Sequence, residues 1–134
     1  MGKTKPQVQP EAPAPAKLEV TDLVAGAGTE AKEGDVVTVH YVVVLQKNGK
    51  EAYSSWGRKP LSFELGGGGV TAGWEQGIKG MRKGGRREVA APASLSYGKA
   101  GDPPTVGPNE ALVSVIDLLE VKDPAPARGP ASSP

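Results

Sequence analysis

The side chains best suited to chemistry in this sequence are aromatic, and all of them lie between positions 41 and 97. They are Tyr41, Tyr53, Trp56, Phe63, Trp74 and Tyr97. Aromatic rings that carry hydroxyl or indole N–H groups can form an apolar cleft and orient a ligand within it. The same clustering is also what a single hydrophobic core would produce. The sequence therefore leaves a concave binding pocket and a simple core as open alternatives.

Residue types needed for several other kinds of catalysis are missing from the sequence. Cysteine does not occur, which excludes disulfides, thiolate zinc sites and cysteine nucleophiles. His40 is the only histidine, so we interpret it as structural and expect no histidine-based metal site. No serine lies in a Gly-X-Ser-X-Gly motif. We therefore expect neither a metal nor a cofactor.

Two further motifs have structural interpretations. Four glycines at 66–69 precede a predicted helix, where such a loop can hold an anion. Val70 and Thr71 do not supply the Lys-Ser/Thr pair of a P-loop, so a tight strand-to-helix turn is the better interpretation. Five cations within residues 79–87 are interpreted as a solvated turn at the helix C-terminus. An acidic partner or nucleic acid is the alternative for this run, although it lacks interleaved aromatic residues.

Composition divides the 134 residues into one domain, residues 18–122, with a proline-rich segment at each end. Residues 1–17 and 123–134 contain eight of the 13 prolines, and we expect both to be disordered tails. The formal net charge of +1 argues against a nucleic-acid partner. No apolar run approaches the roughly 20 residues of a membrane span. With no visible signal segment and no indication of an oligomer, we expect a cytoplasmic monomer.

Alternating apolar and polar residues predict a mainly β structure. Strands are predicted over residues 18–24, 35–45, 51–54, 61–65, 84–92 and 111–121. In the second strand, the odd-numbered residues from Val37 to Leu45 share one face. Within residues 70–81, Trp74, Ile78 and Met81 share one helical face, which predicts a short helix. The expected fold class is α+β, with a curled antiparallel sheet of five to six strands wrapped around one short α-helix.

Several strings resemble a known family. The sequence contains Val-His-Tyr at 39–41, Pro-Leu-Ser-Phe-Glu-Leu-Gly at 60–66 and Gly-Trp-Glu-Gln-Gly at 73–77. Tyr-Gly follows about twenty residues later, at 97–98. In this order the strings resemble the FKBP-type peptidyl-prolyl isomerases, the tacrolimus- and rapamycin-binding immunophilins, across residues 18–122. The resemblance implies a half-barrel sheet and an apolar cleft, between sheet and helix, that takes a prolyl ring.

The resemblance also implies roles for individual residues. The implied catalytic residues are Tyr41 on the central strand, Phe63 in the pocket wall, Trp74 at the floor and Tyr97 as a hydroxyl donor. Val70 and Thr71 match the pair at the helix start, where a backbone N–H meets the ligand. The other implied substrate-binding positions are Ala52, Tyr53, Leu61, Val106 and Ser114.

Three positions depart from the family pattern. Ala52-Tyr53 stands where the family usually has Phe-Asp, and Ser114 stands where it usually has Phe. Each missing aromatic removes about 1.5–3 kcal/mol of burial available to a ligand. We therefore expect tacrolimus or rapamycin to bind with reduced affinity. Trp56 and Tyr53 are the aromatic residues available to refill the space.

The function that this resemblance implies is peptidyl-prolyl cis-trans isomerisation (rotamase activity) on unfolded or exposed protein segments, with attenuated activity. Rotation about an X-Pro bond breaks no covalent bond, so it needs no nucleophile, metal or general base. One alternative is a prolyl-binding or chaperone-like module of the same fold with negligible turnover. A second is a basic interaction module that uses residues 79–87. A further hypothesis is that the proline-rich tails enter the protein's own pocket.

Overall fold

The computed structural model describes residues 5, 6, 8 and 16–123, so the predictions for the two tails lie almost entirely outside the described residues. Within this part, a six-stranded antiparallel sheet that does not close and one α-helix confirm the predicted fold. No helix in it has the length and apolar character to span a membrane. The elements are β1 (Glu19–Val24), β2 (Val36–Leu45), β3 (Glu51–Ser54), β4 (Leu61–Glu64), α1 (Ala72–Ile78), β5 (Arg86–Ala91) and β6 (Leu112–Lys122).

The sheet has the strand order β1-β5-β6-β2-β3, and β4 also pairs with β2. The long strand β2 is the branch point, because β4 pairs with its first half and β3 with its second half. A bulge in the β2–β6 ladder lies between Thr38 and Val39. Such an irregularity bends a strand and increases its local twist. The sheet therefore has a concave face on which α1 packs.

Alternation in β2 and β6 builds the core under α1. Val37 and Val39 of β2 and Ile116 and Leu118 of β6 are all at most 1% exposed, and they pack with Ile78 and its neighbours. The predicted helical face is confirmed, because Ile78 and Met81 are buried and Trp74 packs on the same cluster. The core therefore joins the helix to the middle of the sheet.

The helix is shorter than the predicted 70–81. Its N-cap is Thr71, whose side-chain oxygen accepts the Trp74 backbone N–H at 3.4 Å. The chain leaves the helix at Lys79, whose ψ of 130° is not helical, and Gly80 follows with a φ of 92°, in the left-handed region that glycine adopts readily. Close packing also depends on glycine, because a Cβ at Gly77 would lie 2.8 Å from both methyl groups of Val89.

The outer face of the sheet is also partly covered. The even-numbered residues Val42 and Val44 are 2% and 3% exposed, and they cluster with Val113 beneath Trp56 and Val8. This cover explains why β2 contains nearly continuous valines instead of a simple alternation of apolar and polar residues.

The interpretation of the cation run as a wholly solvated turn is wrong for its last two members, which lie in β5. Arg86 makes a bidentate pair with Asp117, with nitrogen–oxygen distances of 2.6 and 2.9 Å. Arg87 pairs with Asp22 and donates to the carbonyl of Gly77 at the end of α1. Every cation of the run forms an ion pair with a carboxylate, namely Lys79, Arg82, Lys83, Arg86 and Arg87.

Candidate functional site

A largely apolar cavity of about 210 Å³ opens between α1, the concave face of the sheet and the chain that follows β5. It brings together eight of the residues expected at a site. They are Tyr41, Tyr53, Leu61, Val70, Thr71, Trp74, Tyr97 and Ser114. None of the described residues that line it carries a charge. The cavity therefore presents an apolar volume with hydroxyl groups at its edges.

The floor of the cavity is fixed by a hydrogen bond between α1 and β6. Trp74 Nε1 donates to Ser114 Oγ at 3.0 Å, and Ser114 is only 3% exposed. The register of the sheet places Ser114 between Val43 of β2 and Val89 of β5, which also line the cavity. The serine therefore gives the part-buried indole N–H an acceptor, which an aromatic hydrocarbon at the same position would not provide.

Aromatic contacts hold the indole on its other sides. The Tyr41 and Trp74 rings meet edge to face with their centroids 5.0 Å apart. Phe63 packs behind Trp74 at 6.2 Å and supports the indole without lining the cavity. Edge-to-face and tilted contacts of this kind stabilise aromatic pairs beyond their buried area. Phe63 thus lies close to its expected place but acts on the cavity through Trp74.

The rim carries two phenols and a carboxylate. The Tyr53 hydroxyl donates to Asp102 Oδ2, and the Tyr53 and Tyr97 ring centroids are 6.2 Å apart. The pKa of Tyr53 is raised well above its usual range, mainly by burial and secondly by the hydrogen bond to Asp102. Burial also raises the pKa of Tyr97, and the charge of Asp102 adds to this effect. Both phenols therefore remain protonated and able to donate at neutral pH.

We call residues 97–110 the flap, because this segment crosses one side of the cavity. Val106 anchors it, being fully buried in a cluster with Val43, Leu45 and Leu112. Ala52 packs against the same cluster. The expected substrate-binding positions Ala52 and Val106 therefore support the cavity from behind and do not line it.

Of the two aromatic residues available to refill the space, Trp56 lies away from the cavity. Its ring stacks on His40 with centroids 4.5 Å apart and covers the outer face of the sheet. His40 Nδ1 lies 2.7 Å from the buried Ser55 hydroxyl, which places the histidine in a structural contact. Of the two candidates for filling the space, only Tyr53 lines the cavity.

Sequence reasoning missed six lining residues and one supporting carboxylate. The lining residues are Val43, Gly69, Val89, Ala91, Ser96 and Leu112. Alternation could have found some of them, because Val43 shares its face of β2 with Tyr41, and Leu112 its face of β6 with Ser114. Asp102 lies in a loop, where no periodicity indicates which side chain points to the site.

Comparison with known proteins identifies the group to which this architecture belongs. The family profile described as FKBP-type peptidyl-prolyl cis-trans isomerase matches residues 28–119. The chain belongs to this family. An FK506-binding protein of Streptomyces anulatus is 44% identical over 124 residues, which cover 90% of this chain and 100% of that protein. A probable FK506-binding protein of Corynebacterium glutamicum is 43% identical over 117 residues, covering 86% and 97%.

Solved structures of FKBP proteins show the same fold. The crystal structure of FkpA from Escherichia coli superposes with a TM-score of 0.73 at 44% identity, covering 81% of this chain and 49% of that chain. The crystal structure of AtFKBP13 gives a TM-score of 0.72 at 35% identity, covering 80% and 94%. Within this FKBP fold, the floor pair Trp74–Ser114 and the rim pair Tyr53–Asp102 involve the positions at which the sequence departs from the family pattern.

Proposed function

We propose that this FKBP-family protein accelerates cis-trans rotation about X-Pro bonds in unfolded or exposed protein segments. The observation that carries the proposal is the cavity, which has Trp74 at its floor, apolar walls and a phenol at its rim. A prolyl ring is compact and apolar and has no N–H to leave unsatisfied. It therefore suits an enclosed site that offers few polar partners.

The proposed mechanism depends on desolvation. The barrier to rotation is about 18–20 kcal/mol and arises from resonance in the planar amide. The twisted amide loses resonance, so its carbonyl carries less charge and is less well stabilised by water than the planar form. A cavity without charged lining residues favours the twisted form over the planar form, and this difference in binding lowers the barrier.

Polar groups at the rim would hold the substrate backbone. The Tyr97 side chain is 36% exposed, so its hydroxyl is accessible to a peptide lying across the cavity. Val70 and Thr71 line the opposite side at the start of α1, where backbone N–H groups lack partners inside the helix. Two such contacts orient the X-Pro bond relative to Trp74, and orientation is a recognised source of rate acceleration.

Tacrolimus and rapamycin are proposed as weaker ligands of the same cavity. Relatives that are 43–44% identical are described as FK506-binding proteins. In this chain Ala52 and Ser114 replace two aromatic residues of the usual pattern, and Trp56 does not fill the space. The apolar area available to a ligand is smaller, so its affinity should be lower.

The alternative is a prolyl-binding or chaperone-like module with negligible turnover. The altered positions favour this alternative, because Ser114 leaves the floor wider than an aromatic residue would. Both functions use the same cavity, so binding alone does not separate them. A rate measurement does.

The test compares two tryptophans that differ only in their place in the fold. The cis-to-trans rate of a short Leu-Pro peptide is measured with the native protein, Trp74→Leu and the matched control Trp56→Leu. We expect acceleration by the native protein, a large loss in Trp74→Leu and little change in Trp56→Leu. Equal losses in both variants, with both folded by circular dichroism, would contradict the site. Peptide binding without acceleration would establish the alternative.

A further inference from the structure

The flap has a well-defined internal structure. Asp102 and Val106 exchange two backbone hydrogen bonds, at 2.8 and 2.9 Å, which close a tight loop. Gly101 N–H donates to the Tyr97 carbonyl at 3.1 Å, and Asn109 N–H donates to the Gly98 carbonyl at 2.8 Å. These hydrogen bonds tie the turn that carries Asp102 to the segment that carries Tyr97.

Several contacts join this unit to the rest of the domain, including the Gly98 N–H bond to the Ala93 carbonyl at 2.9 Å and the Lys47–Glu110 ion pair at 2.7 Å. Two others bear on how the flap meets the cavity. One is the buried Val106 side chain, which packs into an apolar cluster and has no preferred direction of interaction. The other is the directional hydrogen bond from the Tyr53 hydroxyl to Asp102, which joins β3 to the flap across 49 positions of sequence. Of these two, the hydrogen bond is the contact that constrains the angle between the flap and β3 at the cavity rim.

We propose that Asp102 is a positioning residue of the X-Pro site, because it accepts the Tyr53 hydroxyl and so holds the flap, and with it Tyr97, at the cavity rim. The inference rests on the proposed function and deepens it. Asp102 itself does not line the cavity, so it acts through Tyr53 and Tyr97 and not on the substrate.

The chemistry of the rim explains why a phenol stands at position 53. A tyrosine hydroxyl can donate to a carboxylate, and both rings then remain next to the ligand space. An aspartate at position 53, as in the usual family pattern, is too short to reach Asp102 as the phenol does and has no proton to donate to it. It would also add a second negative charge to the same rim, and like charges disfavour a close approach of the flap to β3. The phenol at position 53 and the carboxylate at position 102 are therefore a complementary donor and acceptor pair.

The test is a double-mutant cycle on Tyr53 and Asp102. Tyr53→Phe and Asp102→Ala each remove one side of the hydrogen bond, and each should lower kcat/KM for a Leu-Pro peptide about 2- to 10-fold. The double variant should be no worse than the poorer single variant, because both changes remove one interaction. Asp102→Asn keeps an acceptor oxygen and should retain most of the activity. The exposed carboxylate variant Glu120→Gln serves as the charge control.

A second cycle tests the matching of the two positions. Tyr53→Asp alone should lower kcat/KM more than Tyr53→Phe, and adding Asp102→Asn should recover part of the loss. Amide hydrogen exchange at Asp102 and Val106 should accelerate in Asp102→Ala and in Tyr53→Asp but not in Glu120→Gln. A gain of activity in Tyr53→Asp alone would overturn the inference.

Other outcomes also decide the proposal. Additive effects of Tyr53→Phe and Asp102→Ala, or equal activity of Asp102→Asn and Asp102→Ala, would overturn it. If the native protein does not accelerate Leu-Pro rotation, the proposed function fails. In that case, amide hydrogen exchange in the flap that accelerates in Asp102→Ala and Tyr53→Asp, but not in Glu120→Gln, would still establish the contact between Tyr53 and Asp102. Unchanged exchange in all of these variants would reject it.

Discussion

The floor and the rim of the cavity are both held by side-chain hydrogen bonds, but in different surroundings. On β6, Ser114 and Asp117 are each 3% exposed, and they accept from Trp74 and Arg86 respectively. At the rim, Asp102 is exposed and accepts from Tyr53. A polar group deprived of its partner is costly where water cannot replace it and inexpensive where water can. The floor is thus a fixed part of the fold, whereas the rim is adjustable.

The largest expected effect comes from the buried ion pair on the face of β6 opposite to Ser114. Asp117→Ala removes the bidentate carboxylate partner of Arg86, whose side chain is 15% exposed. Breaking a buried pair by removing one partner costs about 3–5 kcal/mol. Urea denaturation should show a loss of unfolding free energy in this range.

The matched control for this prediction is Asp22→Ala, because Asp22 pairs with Arg87 but its side chain is 53% exposed. The Arg87 side chain is 13% exposed, but it keeps its hydrogen bonds to the Gly77 and Lys79 carbonyls when Asp22 is removed. Pairs with an exposed partner contribute about 0–1 kcal/mol. Similar losses in the two variants would contradict the distinction between buried and exposed polar contacts.

An intermediate effect is expected at the floor itself. Ser114→Ala leaves the part-buried Trp74 indole N–H without its acceptor. A fully buried donor left unsatisfied costs about 1–3 kcal/mol, so we expect a loss at the lower end of this range. The unfolding midpoint in urea should fall, with the denaturant slope unchanged. Ser114→Thr keeps the hydroxyl and should lose less. An unchanged midpoint in Ser114→Ala would show that the indole has a replacement partner.

A smaller effect on stability is expected at the rim. Tyr53→Phe removes the hydroxyl that donates to Asp102, in surroundings where water can solvate the carboxylate. The unfolding free energy should change by about 0.5–1 kcal/mol or less. Thermal or urea unfolding of Tyr53→Phe, measured in parallel with that of Ser114→Ala, gives the comparison directly. A loss larger than that of Ser114→Ala would mean that the flap is part of the cooperative core.

The last effect is absent at neutral pH and should appear only in the alkaline range. Burial holds the pKa of Tyr97 and of Tyr53 above the ordinary value of 10.0. The folded state therefore holds these protons more tightly than the unfolded chain does. Their contribution to stability is present below pH 10.0 and is lost as pH rises through the folded-state pKa. Absorbance titration of phenolate should show that Tyr53→Phe removes the step at highest pH.

The fold was predictable because its elements carry strong periodic patterns. Alternation from Val37 to Leu45 identified the central strand, and the spacing of Trp74, Ile78 and Met81 identified the helix face. The end of the helix was less predictable, since the chain leaves it through backbone angles at Lys79 and Gly80 that spacing does not reveal. The family assignment rests on strings in the same elements.

The site was predictable where the residues lie on regular elements and unpredictable elsewhere. Tyr41, Trp74 and Ser114 lie on β2, α1 and β6, and all three line the cavity. The position of Trp56 could not be predicted, because it follows β3 at a turn that carries its ring to the outer face. Asp102 could not be predicted either, because the contact with Tyr53 depends on how a long loop folds back.

The close approach of α1 to β5 has a consequence for the width of the cavity. Gly77 faces the methyl groups of Val89, and a Cβ there would lie 2.8 Å from them. Any side chain at position 77 would force the helix and the sheet apart, although Gly77 does not line the cavity. The aperture between Trp74 and the sheet is therefore governed by a residue that no ligand touches. Ligand size selectivity could thus be altered by changing position 77 while every lining residue stays the same.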